Sequence, residues 1–192
     1  MNIYPVKQSQ VVELPRFFSE SLCADYVKQA KEAGFAQQEF YGGETRARAT
    51  FDSTQMAQDL LQRLPDLPSL DEFYGPLLRP DPDVNALSEF KASGLNERFR
   101  FYEYSEGARF SLHHDISYEA VHARSFLTLL IYLNEGMVGG ETTFEDELTI
   151  TPQLGTCILF PHELMHQGLP VTSGTKVVLR SDVMFTHPSL EV

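Results

Sequence analysis

The sequence predicts a mixed α+β protein with a double-stranded β-helix (jelly roll) core and an N-terminal helical layer. Apolar residues recur at helical spacing in the first half of the chain. From about Arg98 the pattern alternates with a period of two and becomes rich in Phe, Tyr, Val, Ile and Thr. Short strands joined by regular turns, with no helices between them, are typical of antiparallel barrels and jelly rolls.

The N-terminal layer, residues 1–97, is expected to be mainly helical and to carry the lid elements. Ser19 and Ser53 are suitable N-caps, because each precedes a stretch of apolar residues with the helical period. Gly34 ends the first stretch and Pro65 the second. The expected elements are a strand at 10–14, a helix from 19 to about 34, a helix from 53 to 65, and a turn of helix over 70–74.

The jelly-roll core is expected to occupy residues 98–187, within a single domain that spans 1–192. Turn residues, chiefly Gly, Asn, Ser and Pro, separate its apolar segments, and the sequence contains no internal repeat. The predicted strands are 98–104, 109–113, 125–133, 147–151, 156–160 and 176–185.

Composition and charge exclude several classes of function. Fifteen Lys and Arg residues against 27 Asp and Glu give a net charge of −12, which opposes binding to nucleic acids and anionic membranes. Cys23 and Cys157 each lie in an apolar segment and are expected to be buried free thiols. The chain begins without the pattern of a secretory leader and contains no apolar run of roughly 18 residues, so we expect a cytoplasmic protein.

Two histidine clusters indicate a metal site. The first contains His113, His114 and Asp115, and the second contains His162 and His166. Alternate side chains of a strand share a face, so His113 and Asp115 can point together into a barrel. One histidine of the second cluster would then complete a set of two imidazoles and one carboxylate, which is typical of non-haem Fe(II) oxygenases.

The second cluster also matches the H-E-x-x-H motif of zinc proteases, with Glu163 as the base. That motif binds zinc only on a helix, where the two histidines lie one turn apart. Here Pro161 precedes the motif and Gly168 follows it, so a zinc protease is a minor alternative.

Three segments together resemble the Fe(II)/2-oxoglutarate-dependent dioxygenases, in particular the prolyl 4-hydroxylase-like branch. They are residues 100–115, which end in Leu-His-His-Asp, residues 129–144, which contain Tyr-Leu-Asn and Gly-Gly-Glu-Thr-Thr-Phe, and residues 166–182. The resemblance implies that His113, Asp115 and His166 hold Fe(II), and that 2-oxoglutarate and O2 bind to the metal. It also implies a hydroxylase that releases succinate and CO2, with ascorbate as the reductant.

The resemblance further implies a set of residues that bind 2-oxoglutarate. Lys176, ten positions after His166, corresponds to the family's basic residue that pairs with the distal carboxylate. Arg180 has the same strand parity and is an alternative partner for that carboxylate, or it pairs with Asp182. The phenols of Tyr104 and Tyr132 are expected to reach the same carboxylate, and Thr128 shares the strand face of Tyr132.

The resemblance leaves the substrate open among a prolyl residue, an amino acid and a small metabolite. Arg46 and Arg48 form a basic pair that could bind a substrate carboxylate at the mouth of the barrel, or could be a solvated strand edge. Phe110 replaces a Tyr that some family members carry three residues before the first ligand. A sensor with the same fold that binds metal and 2-oxoglutarate without turnover is the alternative function.

Overall fold

The computed structural model describes residues 1–6, 9–40, 44–74 and 87–186, which form helices and antiparallel strands. The helices are α1 (Glu20–Ala33), α2 (Thr54–Arg63) and α3 (Leu70–Tyr74), with 3-10 turns at Leu87–Glu89 and Glu145–Glu147. The strands are β1 (Asn2–Val6), β2 (Ser9–Leu14), β3 (Ala36–Phe40), β4 (Glu44–Asp52), β5 (Lys91–Leu95), β6 (Arg98–Tyr104), β7 (Phe110–His113), β8 (Arg124–Tyr132), β9 (Val138–Gly139), β10 (Thr142–Phe144), β11 (Thr149–Ile150), β12 (Cys157–Pro161), β13 (His166–Gly168), β14 (Val171–Ser173) and β15 (Lys176–Thr186).

Two sheets form the jelly roll. The larger sheet has the strand order β1-β2-β12-β8-β15-β6-β4-β3, and β5 also pairs with β15. The smaller sheet has the order β11-β10-β13-β7, and β14 pairs with β9 beside it. All pairings are antiparallel, so the predicted α+β class with a double-stranded β-helix core is confirmed.

The larger sheet is buried on both faces. On one face, Phe99 and Phe101 of β6 pack with residues of the helices, such as Leu60 and Phe73. On the other face, alternate residues, such as Tyr104 of β6, pack in a second cluster with residues of the smaller sheet. The space between the two sheets is therefore the interior of the jelly roll, and β6, β8, β12 and β15 supply one of its walls.

The predicted helices are confirmed. The Ser19 Oγ accepts the Leu22 backbone N–H at 3.2 Å, and α1 ends at Gly34, which has a φ of 87°. The Ser53 Oγ accepts the Met56 N–H at 3.2 Å in the same manner at the start of α2. These caps satisfy backbone donors that have no partner within the helix.

The N-terminal layer has more strands than the sequence predicts. It contributes five strands, β1 to β5, where only one was expected. The strands β1 and β3 lie at the edges of the larger sheet, and most of their described side chains are exposed, so they lack an apolar period of two. Later in the chain, the predicted strand at 147–151 is a 3-10 turn followed by the two-residue β11.

The N-terminal segment packs closely against the core at Gly155. The Phe18 backbone N–H donates to the Gly155 carbonyl at 3.0 Å. Gly155 has a φ of 74°, and a Cβ at this position would lie 2.2 Å from the Phe18 carbonyl oxygen. A glycine is required here both by the left-handed backbone and by the close approach of the two chain segments.

Cys23 and Cys157 are buried free thiols, as predicted. None of the helices in the described part of the chain combines the length and the apolar composition that a membrane-spanning helix requires.

Candidate metal centre

The interior of the jelly roll brings His113, Asp115 and His166 together. β7 ends at His113, which pairs in register with His166 on β13. Asp115 follows two residues later, and its backbone N–H donates to the His162 carbonyl at 2.8 Å. One possible ligand atom from each of the three residues lies within 4.8 Å of the other two.

Both imidazoles are held with Nε2 towards the carboxylate. The His113 Nδ1 lies 2.7 Å from the Ser111 carbonyl, and the His166 Nδ1 lies 2.9 Å from the Leu164 carbonyl. A carbonyl only accepts, so each Nδ1 carries the proton and each Nε2 keeps a lone pair. The two Nε2 atoms lie 3.8 Å from the Asp115 oxygens. Two neutral imidazole nitrogens and one carboxylate are the donor set that suits Fe(II).

Burial and charge keep the three residues in the protonation states that a metal requires. Burial lowers the pKa of His166 to about 4 and also lowers the pKa of His113. Burial opposes ionisation of Asp115, but the Arg180 charge and the Thr128 hydroxyl contribute to lowering its pKa to about 2. The imidazoles are therefore neutral and the carboxylate ionised at neutral pH.

Arg180 is fixed between two carboxylates. Its Nη2 lies 3.0 Å from Asp115 Oδ1 and 3.2 Å from Asp182 Oδ1. Asp182 is in turn held by Asn96, whose Nδ2 donates to Oδ2 at 2.9 Å, and by Arg100 at 3.2 Å. The pairing of Arg180 with Asp182, one of the roles that strand parity allowed, is thus present, and Arg180 also contacts Asp115.

Lys176 lies in the same pocket with a neutral hydrogen-bond partner. The residue is 4% exposed, and its ammonium group donates to the Gly140 carbonyl at 2.7 Å and lies 4.8 Å from the centroid of the Tyr104 ring. Burial lowers the pKa of Lys176 to about 8, although Glu141 opposes this shift. A buried cation of this kind is suited to bind an anionic ligand group.

Tyr132 and Thr128 make contacts other than those expected. The Tyr132 hydroxyl is buried and donates to Thr142 Oγ1 at 2.7 Å, so Thr142 stands between this phenol and the pocket, which Thr142 lines. Thr128 lines the pocket as well, but its hydroxyl donates to Asp115 Oδ2 at 2.5 Å. Thr142 was not among the residues predicted to line the site, and its position there depends on the register of β10 with β13, where it pairs with Gly168.

Arg46 and Arg48 differ in environment. The Arg46 side chain is 7% exposed, and its guanidinium lies 3.7 Å from the centroid of the Phe110 ring and 5.1 Å from that of Tyr102. The Phe110 ring in turn lies 3.7 Å from the His113 ring. Arg48 is exposed on the same strand. Arg46 therefore lies near the metal site through its contact with Phe110, whereas Arg48 is exposed on β4, which pairs on both sides and is not an edge strand.

The zinc-protease alternative is wrong. Residues 162–166 form a turn that leads into β13, whereas the motif requires a helix. His162 is fully buried, and its ring nitrogens lie 2.9 Å from Thr128 Oγ1 and 2.8 Å from Ser125 Oγ. His114 and His122 are exposed, and His187 lies outside the described residues.

Comparisons with known proteins agree with this geometry. The family model of the 2OG-Fe(II) oxygenase superfamily matches residues 99–181, which include His113, Asp115, His166 and Lys176. A comparison of the sequence with curated proteins found no significant match.

Solved structures with the same fold include several prolyl hydroxylases. The viral collagen prolyl hydroxylase of Paramecium bursaria Chlorella virus-1 is 19% identical, with a TM-score of 0.57 over 92% of this chain and 96% of that one. A Pseudomonas putida prolyl-4-hydroxylase is 16% identical, with a TM-score of 0.60 over 90% and 91%. A Trichoplax adhaerens prolyl hydroxylase, solved with a hypoxia inducible factor peptide fragment, is 13% identical, with a TM-score of 0.61 over 94% and 84%. Residues 99–181 therefore match the 2OG-Fe(II) oxygenase superfamily, and the chain shares its fold with these prolyl hydroxylases.

Proposed function

We propose that the protein is an Fe(II)- and 2-oxoglutarate-dependent dioxygenase that hydroxylates a C–H bond of a prolyl residue, an amino acid or a small metabolite. The observation that carries the proposal is a pocket that holds two kinds of group. It is lined by the two imidazoles and the carboxylate that suit Fe(II), and also by the buried ammonium group of Lys176.

In this function, His113, Asp115 and His166 would hold Fe(II) through two imidazole nitrogens and one carboxylate oxygen. Lys176 binds the distal carboxylate of 2-oxoglutarate, which is costly to bury without a cation. When bound, Fe(II) and 2-oxoglutarate supply the oxidising chemistry, in which O2 is consumed, succinate and CO2 are released, and one oxygen atom enters the substrate. Tyr104 borders the distal end of the pocket through its contact with Lys176.

Aromatic side chains pack against the two histidine ligands. The Phe160 ring lies 4.6 Å from the His166 ring, and Phe110 stacks against His113 at 3.7 Å. A pocket shielded from water strengthens the electrostatic contacts within it and limits side reactions of reactive species.

Arg46 supports a substrate that carries a carboxylate. Its buried guanidinium lies against Phe110, which borders the pocket, and arginine recognises carboxylates through two parallel hydrogen bonds. Free amino acids and small acidic metabolites have this group, and so does a peptide with a terminal or acidic residue. The Asp115 carboxylate favours hydroxylation over halogenation, because family halogenases carry a small residue at this position.

The test is succinate formation from 2-oxoglutarate by the purified protein with Fe(II), O2 and ascorbate, first alone and then with prolyl peptides, free amino acids and small carboxylates. We expect succinate from the wild type and a product heavier by one oxygen atom with the correct substrate. His113→Ala should abolish both. Tight 2-oxoglutarate binding without succinate, for every candidate substrate, would instead indicate the non-turnover sensor.

The location of the protein, its reductant and the partners it does not bind are inferred from the sequence. We also propose a cytoplasmic location, ascorbate as the reductant, and no nucleic-acid or membrane partner. The net charge of −12 is the physical basis for expecting no binding to nucleic acids.

A further inference from the structure

A chain of buried hydrogen bonds ends at Asp115 and begins in the loop that follows it. The Tyr118 backbone N–H donates to Ser125 Oγ at 2.8 Å, and Ser125 Oγ lies 2.8 Å from His162 Nε2. His162 Nδ1 lies 2.9 Å from Thr128 Oγ1, which donates to Asp115 Oδ2 at 2.5 Å. Ser125, Thr128 and His162 are at most 1% exposed.

The groups at the two ends of this hydrogen-bond chain determine which atom is the donor in each bond. A hydroxyl has one proton, and the Asp115 carboxylate can only accept, so Thr128 gives its proton to Asp115 and must accept from His162 Nδ1. A fully buried imidazole without a carboxylate partner is neutral, because burying the charged form is costly. His162 Nε2 is then an acceptor, and it receives the Ser125 proton. The Ser125 oxygen accepts from the Tyr118 N–H.

His162 also holds Asp115 through its backbone. The Asp115 N–H donates to the His162 carbonyl at 2.8 Å. Thr128 occupies Oδ2, and Arg180 Nη2 lies 3.0 Å from Oδ1. Asp115 lies beyond the end of β7, so the strand itself does not fix the orientation of its side chain.

We propose that His162, as its Nδ1–H tautomer, is a positioning residue that acts through Thr128 to orient the carboxylate ligand Asp115 for the metal. This inference rests on the proposed function, because it takes Asp115 as a metal ligand. The aligned donors strengthen one another along the chain. Partners that stand behind metal ligands typically contribute about 10- to 100-fold to metal affinity.

Two substitutions of His162 separate the hydrogen bond to Thr128 from the space that the ring fills. The amide nitrogen of Asn lies two bonds from Cβ, as Nδ1 does, so His162→Asn can still donate to Thr128. The amide of Gln lies three bonds from Cβ, as Nε2 does, so His162→Gln can contact Ser125 but leaves Thr128 without a donor. His114→Gln is the control, because His114 is an exposed histidine next to two metal ligands.

The experiment is calorimetric titration of the metal-free protein with Mn(II), which needs no turnover. We expect His162→Gln to weaken Mn(II) binding about 10-fold or more, His162→Asn to stay within about 3-fold of the wild type, and His114→Gln to leave binding unchanged. Equal affinities for Gln and wild type, or equal losses for Asn and Gln, would overturn the proposal. Thermal unfolding of each metal-free variant shows whether it is folded.

NMR of the ring nitrogens provides a second measurement that needs only the folded wild type. We expect His162 to carry its proton on Nδ1 at neutral pH, and a proton on Nε2 would overturn the proposal. Failure of the proposed function is distinguishable from these outcomes. In that case succinate does not form even though Mn(II) binds and the His162 variants differ as expected.

Discussion

Two cations, Lys176 and Arg180, line the pocket, and their partners distinguish their roles. Arg180 already lies between Asp115 and Asp182, so much of its charge is compensated within the protein. Lys176 donates to a neutral carbonyl, and burial lowers the pKa of its ammonium group to about 8. Lys176 is therefore expected to bind the carboxylate of an incoming ligand. Arg180 is expected to orient the Asp115 carboxylate instead.

Replacing Lys176 by an uncharged side chain of similar length should weaken 2-oxoglutarate binding. In Lys176→Met the distal carboxylate is buried without a partner, which costs roughly 2 to 5 kcal/mol. The Kd for 2-oxoglutarate, measured by calorimetry with Mn(II) present, should rise on the order of 30-fold or more, since 1.4 kcal/mol is about tenfold. If Arg180→Met raises the Kd this far and Lys176→Met leaves it unchanged, Arg180 is the carboxylate partner.

Binding of 2-oxoglutarate should depend on pH through the ionisation of Lys176. The pKa of Lys176 in the ligand-free protein is about 8, below its ordinary value of 10.5, and the carboxylate requires the protonated form. The Kd for 2-oxoglutarate should therefore rise about tenfold for each pH unit above about 8. Between pH 8 and pH 10.5 the Lys176 amine is protonated in the unfolded chain but largely neutral in the folded, ligand-free protein. The contribution of Lys176 to the free energy of unfolding therefore rises with pH over this range. A Kd that stays constant from pH 7 to pH 10 would contradict the assignment.

At the scale of the elements, the metal ligands were predictable from the sequence, whereas the groups that support them were not. His113, Asp115 and His166 belong to short motifs, which are local signals, although Asp115 lies two residues beyond the end of β7. The contacts of Thr128 depend on its position between Phe160 and Asp182 on neighbouring strands. That position is set by the registers of β12, β8 and β15, which are distant in sequence.

Helices α1 and α2 were predictable because their caps and apolar stripes are local signals. The edge strands β1 and β3 were not, since they form by pairing with a neighbour and expose most of their described side chains. The sequence pattern predicts that Arg46 and Arg48 share a strand. The contact of Arg46 with Phe110 could not be predicted, because it depends on strands that are distant in sequence.

The junction between the N-terminal segment and the core gives a prediction about stability. Gly107 and Gly155 both have positive φ, but a Cβ on Gly107 meets no atom within 4 Å. Gly107→Ala should cost only the backbone strain, roughly 1 to 2 kcal/mol. Gly155→Ala should cost about 1 to 3 kcal/mol more, because the methyl group collides with the Phe18 carbonyl. Urea unfolding measures the free energy of unfolding of each variant. Equal decreases for Gly107→Ala and Gly155→Ala would show that the backbone around Phe18 can move to accept the methyl group.

At the scale of the whole molecule, metal and 2-oxoglutarate should stabilise the fold together. The ligand residues come from β7, β13 and the segment that follows β7, and Lys176 begins β15, so the site links both sheets. A ligand at 100 times its Kd adds about 2.7 kcal/mol to the free energy of unfolding. Mn(II) with 2-oxoglutarate should therefore raise Tm by roughly 5 to 10 °C. His113→Ala is the comparison, and an equal rise in that variant would place the binding elsewhere.

In the proposed function, this pocket couples the oxidation of 2-oxoglutarate to the use of O2. The most direct measurement is mass spectrometry of the succinate formed by the Fe(II)-loaded protein under O2 labelled with a heavy oxygen isotope. We expect one labelled oxygen atom in each succinate, formed by the wild type and not by His166→Ala. Unlabelled succinate, or labelled succinate formed equally by His166→Ala, would contradict the account.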